Sequence, residues 1–200
     1  MAKLRRLVLV RHGETDGESS LRFHGSSDVD LSAEGRAQMR RVAAGLGRVP
    51  ELVVASPLRR SWRAAVIAGR AARVRLEPDF REVDFGRWEG LTKQEIQARD
   101  PVLFEDWQQR APGFEYPGGE LRGAFRERVQ RGLDRLLRED ARDALLVVHK
   151  GVIRTLVETL TGEALAPDEP AVGESVVLTR NPDGTWYRGQ RSSNPPDLAA

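Results

Sequence analysis

The sequence predicts an α/β fold with a mostly parallel central sheet, and three features predict it. Leu7–Val10, Leu52–Ala55 and Ala144–Val148 are short, unbroken apolar runs, the pattern of strands buried on both faces of a parallel sheet. The stretches between them repeat an apolar residue every third or fourth position, as helices packed on a sheet do. Each run also stops abruptly, in Arg11-His12-Gly13, in Ser56-Pro57 and in His149. Ligands of open α/β sheets bind at the carboxyl ends of strands, so these residues fall where a site is expected.

Residues 4–10 read as the first strand. Residues 16–31 are polar with scattered glycine, a loop long enough to be functional. Ser32 caps the next helix, whose apolar stripe is Ala37, Met39, Val42, Ala43 and Leu46, and Gly47 ends it. After the second strand, Pro57 suits a first helical turn. Leu58–Ala68 continues as helix, followed by a strand around Val74–Leu76. Residues 77–119 break this rhythm. With Pro101, Pro112, Pro117 and five glycines, they read as a mostly helical cap inserted over the sheet edge. Helical periodicity returns at Ala124–Leu137, through Phe125, Val129, Leu133, Leu136 and Leu137. Ala144–Val148 is the third buried strand, and Val152–Leu160 the helix after it. Ser175–Thr179 and Thr185–Arg188 are edge strands joined by the turn Asn181-Pro182-Asp183-Gly184. A tail from about residue 192, with Pro195-Pro196, is expected to be disordered. The whole reads as one domain over residues 1–200.

At 200 residues, 40% apolar and 31% charged, the chain has the composition of an ordinary globular domain with one sizeable core. The net charge is +2 and the two signs are interleaved, so no nucleic-acid-binding patch stands out. Lysine stands only at positions 3, 93 and 150, so 29 of the 32 basic residues are arginine. Guanidinium matches phosphate and carboxylate geometry, although a bias in genome composition explains the same count. The lack of cysteine excludes disulfides, thiolate nucleophiles and cysteine metal sites. No apolar run is long enough to span a membrane, and the first is too short for a signal peptide. The expectation is a cytoplasmic protein with no membrane and no nucleic-acid partner.

His12 and His149 each follow an apolar strand directly. Alone, a histidine at a strand end is more often structural, and Arg59-Arg60 on a helix marks a solvated face. Together they bring two imidazoles and at least two guanidiniums to one sheet edge. A core tolerates that much like charge only with an anion to neutralise it.

Arg11-His12-Gly13-Glu14-Thr15 resembles the signature of the histidine phosphatase superfamily, the phosphoglycerate-mutase-like enzymes, and the resemblance covers most of the chain. Arg22, Gly25, Asp28, Leu31-Ser32, Glu34-Gly35 and Gln38 match its loop and first helix. Ser56-Pro57-Leu58-Arg59-Arg60 matches its second motif, with Arg60 as the matched arginine and Arg59 its variable neighbour. Arg81-Glu82, Gly86 and Trp88-Glu89-Gly90 resemble the segment carrying its acid, and Pro117-Gly118-Gly119-Glu120 the exit of its cap. Val147-Val148-His149, with Gly151 and Ile153-Arg154, resembles the second-histidine motif.

The resemblance implies a three-layer α/β/α fold with a mostly parallel sheet and a small helical cap insertion. It implies a metal-independent phosphomonoester hydrolase, with no cofactor. His12 would be the nucleophile, Glu82 the proton donor, and Arg11, Arg60 and His149 the groups that hold the phosphoryl oxygens. Neighbouring arginines would disfavour an imidazolium and keep His12 neutral. His24 with Gly25, and Lys150 beside His149, are further candidates for substrate contact. A cation at Lys150 or Lys93 would favour a substrate with a second anionic group. Glu18 stands where the family often has asparagine, and its charge would repel phosphate. Ala64 stands where threonine is common, a packing change.

The cap, residues 77–119, has few basic residues for a second phosphate besides Lys93, Arg99 and Arg110. That favours a phosphatase acting on a small phosphorylated metabolite over the alternative, a cofactor-dependent phosphoglycerate mutase. A silent phospholigand-binding module is expected to lack one of His12, Glu82, Arg60 and His149. A protein phosphohistidine phosphatase is expected to lack most of the cap. The natural substrate stays open at this level, as does assembly into a homo-oligomer.

Overall fold

Successive side chains of a strand point to opposite faces, and the central strands here bury both. The computed structural model describes residues 4–70 and 73–189. Its single sheet contains β1 (Arg6–Arg11), β2 (Leu52–Ala55), β3 (Arg75–Leu76), β4 (Asp143–Val148), β5 (Ser175–Arg180) and β6 (Trp186–Arg188). The strand order is β3-β2-β4-β1-β5-β6. The first four are parallel, and β5 and β6 are antiparallel additions on one side. Leu7, Leu9, Leu146 and Val148 pack beneath helices α5 (Arg122–Leu137) and α6 (Lys150–Thr161). Val8, Val10, Val53, Ala55, Leu145 and Val147 point the other way, against α1 (Ala33–Gly45) and α2 (Arg59–Gly69). The outcome is the expected three-layer α/β/α arrangement.

Helix starts follow backbone chemistry more than apolar periodicity. Ser32 Oγ accepts the Gly35 N–H at 3.1 Å and caps α1. Leu58 is still extended, so α2 begins at Arg59 and Pro57 precedes the helix rather than opening it. α6 begins at Lys150, directly after His149, earlier than the apolar stripe indicated. A first helical turn needs free N–H groups to be met, not an apolar face. The turn predicted at 181–184 joins β5 to β6. The tail predicted from residue 192 lies outside the described residues.

Between β3 and α5 the chain forms two short 3-10 turns, then α3 (Lys93–Arg99) and α4 (Pro101–Gln109). This segment has its own core of Trp88, Ile96, Phe104 and Phe114. Phe23, from the 16–31 loop, enters it and meets Trp107 edge-on with ring centroids 5.3 Å apart. An isolated bridge pairs Arg22 with Thr92. The loop and the cap are therefore stitched into one unit.

Register then sets the place of the site. Arg11 is paired with Val148, and Ala55 with Val147, so β1, β2 and β4 end at a common edge. The helices that follow β1 and β4 lie on opposite faces of the sheet, which opens a crevice between these neighbouring strands. Gly13 and Gly35 touch backbone to backbone where α1 passes the end of β1. A Cβ on Gly35 would run into the Glu14 carbonyl, which cannot swing aside. Gly35→Ala is expected to lower stability by about 1–3 kcal/mol. A thermal melt should read this as a fall in Tm of several degrees; an unchanged Tm would show that the contact yields.

Candidate active site

His12 is the first residue beyond β1, and two main-chain bonds fix it there. Its N–H donates to the Val148 carbonyl at 3.0 Å, and the Gly173 N–H is shared between the carbonyls of Arg11 and His12, 3.1 Å from each. The ring is buried, as is that of His149, and the two centroids lie 5.2 Å apart at an interplanar angle of 64°. His12 Nδ1 is 2.8 Å from the Gly13 carbonyl. A carbonyl only accepts, so Nδ1 carries the hydrogen and Nε2 keeps the lone pair. Burial, reinforced by Arg60 and Arg11, holds His12 well below the usual histidine range. Burial, then Arg60, His12 and Arg11, do the same to His149.

The two guanidiniums are gripped by carbonyls. Arg60 comes from the first turn of α2 and is fully buried, with none of its surface exposed (0%). It donates to the carbonyls of Ser27 (2.6 Å), His24 (2.9 Å) and Gly25 (2.8 Å). Burial lowers it only to about 10, so it stays charged at neutral pH. Arg11 donates to the carbonyls of Pro170 (3.1 Å) and Ser19 (3.0 Å). Arg11 Nε, Arg60 Nε and both ring nitrogens of His149 are buried with no hydrogen-bond partner. Buried polar atoms without partners are rare. Here they accompany two guanidiniums whose hydrogen bonds among the described residues go only to carbonyls, a set suited to the oxygens of a tetrahedral oxyanion.

Glu82 is buried beside them and meets the start of α6. Its Oε2 accepts the Gly151 N–H and its Oε1 the Val83 N–H, each at 3.0 Å. Burial raises its pKa, against the pull of those two N–H groups and of Arg60 and Arg11. A Cβ at position 151 would press on Glu82 Oε1, which explains glycine there. His12, Arg11, Arg60, His149 and Glu82 are thus brought together.

The other sequence candidates stand differently. The Gly25 N–H is held by Glu89 (3.0 Å) and its carbonyl by Arg60, so it reaches the site through that arginine. His24 Nε2 meets the Gly17 carbonyl, while its own carbonyl also serves Arg60. Lys150 lies half-buried on the first turn of α6; burial, then Arg11, Arg154 and Lys93, bring it down to about 8. Glu18 pairs with Arg22 at 3.4 Å, and Arg59 is tied to Asp28. Sequence reasoning assigned no role to Glu89. Its carboxylate accepts from the N–H groups of Gly25, Ser26 and Phe85 and from Ser27 Oγ, and so holds the very loop whose carbonyls hold Arg60. Its position beside Trp88 in the cap pattern was the available signal.

Residues 7–174 match the histidine phosphatase superfamily (branch 1). A bifunctional protein of Mycobacterium tuberculosis is 38% identical over 157 residues, 76% of this chain and 43% of that protein; the chain thus spans less than half of its length. The glucosyl-3-phosphoglycerate phosphatase of Mycobacterium tuberculosis is 35% identical over 183 residues, 86% of this chain and 81% of that protein. The solved structure of the mycobacterial glucosyl-3-phosphoglycerate phosphatase with VO3 is similar with a TM-score of 0.79 at 32% identity, covering 92% of this chain and 97% of that one. The α-ribazole phosphatase from Shigella flexneri gives a TM-score of 0.76 at 27% identity, covering 92% and 95%. Among the described residues there is no grouping of three or more His, Asp or Glu that could hold a metal ion. Nor is any helix among them long and apolar enough to cross a membrane.

For both buried histidines the folded state prefers the neutral ring, whereas the unfolded chain protonates near pH 6.5. The unfolded state therefore binds more protons below that pH. Stability is retained above it and lost as pH falls toward the lowered folded values, by up to about 1.4 kcal/mol per pH unit for each histidine. Imidazole 15N spectra should show both rings neutral at about pH 5.5, with His12 as the Nδ1–H tautomer. A titration midpoint near the ordinary value for either ring would overturn this.

Proposed function

The chain belongs to the histidine phosphatase superfamily (branch 1), and on that premise we propose that it hydrolyses a small phosphorylated metabolite, forming a phosphohistidine on His12 and using no metal or other cofactor. One observation carries the reading. Two charged guanidiniums held only by carbonyls, and a histidine with both nitrogens free, flank an imidazole whose Nε2 keeps its lone pair. A cytoplasmic location is part of the proposal, because charged phosphorylated metabolites are retained there.

The reaction runs in two displacements. Nε2 of His12 attacks phosphorus and the ester P–O bond breaks. The carboxylic acid of Glu82 gives its proton to the departing alkoxide; burial, which raises its pKa, favours the protonated acid. Arg11, Arg60 and His149 hold the equatorial oxygens, where charge builds in the transition state. Glu82, now a carboxylate, takes a proton from water as its oxygen attacks phosphorus. The N–P bond breaks, inorganic phosphate leaves, and the lone pair returns to Nε2. The Nδ1–H bond to Gly13 keeps the ring in the required tautomer throughout.

Activity on phosphomonoesters should survive chelator and be abolished in His12→Ala. Loss in chelator would sink the metal-free route, and unchanged turnover in His12→Ala would sink the nucleophile. Glu82→Gln separates the two halves of the reaction. Alkyl phosphates need the acid, so their turnover should fall about 100-fold or more. With p-nitrophenyl phosphate, whose leaving group needs no proton, one equivalent of p-nitrophenol should appear in a burst before slow turnover. A Glu82→Gln enzyme that turns over alkyl phosphates normally would remove Glu82 from this role.

Lys150 belongs to the same reading as a contact for a second anionic group on the substrate. Its ammonium has no hydrogen bond or ion pair among the described residues, and Lys93 sits over the Trp107 ring at 5.7 Å. Phosphoglycerate, named in the mycobacterial relative's activity, carries a carboxylate beside its phosphoester. 3-Phosphoglycerate and glycerol 3-phosphate differ only in that carboxylate. As inhibitors of p-nitrophenyl phosphate hydrolysis, the first should bind more tightly, and Lys150→Met should shrink the ratio of inhibition constants about tenfold. Equal constants in the unaltered protein would rule this contact out.

A further inference from the structure

We propose that Arg128 is the positioning residue of the Glu82 acid, acting through the peptide plane that follows it; this rests on the role given to Glu82 above. Arg128 lies on α5, within a charged stretch with the look of a solvated face. Its guanidinium is nevertheless fully engaged. Nε and Nη2 donate to the two carboxylate oxygens of Glu120, at 2.6 and 2.7 Å. Nη1 donates to the carbonyls of Asp79 (2.8 Å) and Arg81 (2.7 Å), and Nη2 also to the carbonyl of Glu82 (3.0 Å). These bonds use all the N–H groups a guanidinium has. Its carbon also lies 4.7 Å from the centre of the Phe125 ring.

The bond to the Glu82 carbonyl matters most. That carbonyl and the Val83 N–H are opposite sides of one planar peptide unit. The Val83 N–H is the donor to Glu82 Oε1. Fixing the carbonyl from outside therefore aims the N–H that orients the carboxyl group, and turning the plane would release both bonds. The rest of the segment is seated along the same face of α5. Gly132 admits the Phe80 ring, which a Cβ would approach to 2.6 Å. One turn on, Arg135 donates to both oxygens of Glu77, at 2.6 and 3.0 Å. Glu120 is itself joined to the segment, its N–H donating to the Asp84 carbonyl at 3.0 Å. The clamp thus ties the exit of the cap to the acid.

A double-substitution cycle tests this. Arg128→Lys keeps the charge but cannot span Glu120 and three carbonyls. With an alkyl phosphate, kcat should fall about 10- to 100-fold with KM nearly unchanged. In the Glu82→Gln background the same substitution should change kcat less than about twofold, because no acid remains to be aimed. An equal loss in both backgrounds would show a general structural role and overturn the proposal. If Arg128→Lys does not fold, Glu120→Gln, which loosens the bidentate pair, replaces it in the same cycle under the same criteria. Normal alkyl phosphate turnover in Glu82→Gln alone would instead strike the role of Glu82 itself.

Discussion

The structure turns on two arginines set against main-chain oxygen, Arg60 fully buried and Arg11 partly so. Arg11 and Arg60 are oriented by carbonyls of residues 19, 24, 25, 27 and 170. Carbonyl dipoles aim a guanidinium without cancelling its charge, whereas a paired carboxylate would do both. The retained charge reinforces the burial that keeps His12 and His149 neutral, and it opposes the burial that raises Glu82. Much of the surrounding chain serves this arrangement. The 16–31 loop presents carbonyls to both arginines, and the segment before β5 supplies the one at Pro170.

The cap takes part in the same construction. Glu89, on the cap, gathers the N–H groups of residues 25 and 26 and the hydroxyl of Ser27. The loop so gathered turns its carbonyls toward Arg60. Phe23 adds an aromatic anchor between the loop and Trp107. A change in the cap that shifts Glu89 therefore bears on the carbonyls that hold Arg60. The cap and the loop that orients Arg60 are mechanically connected.

How much of this could be read from sequence depended on whether the partner had a side-chain signature. The buried strands announced themselves as apolar runs, and register carried His12 and His149 to one edge without further information. Arg60 was separable from Arg59 only by family pattern. Both sit on the first turn of α2, yet one is sealed in and the other bound to Asp28 at the surface. Glu82 looks like any surface glutamate until α5 and α6 close over it. Arg128 was illegible for a sharper reason. Its partners besides Glu120 are carbonyls 46 to 49 residues away, and every residue has a carbonyl. Helix starts were misjudged for a related reason, since free N–H groups leave no trace in an apolar stripe.

The bond from Arg11 to the Pro170 carbonyl joins residues 159 apart in the chain. β1 pairs with β4 and β5, which come much later in the chain. Closing so long a loop carries an entropic cost that local contacts cannot offset until those strands are present. A growing chain therefore has His12 well before His149, the α6 N–H that meets Glu82 and the Pro170 carbonyl that meets Arg11. The surroundings of His12 are complete only when those later strands pair with the first.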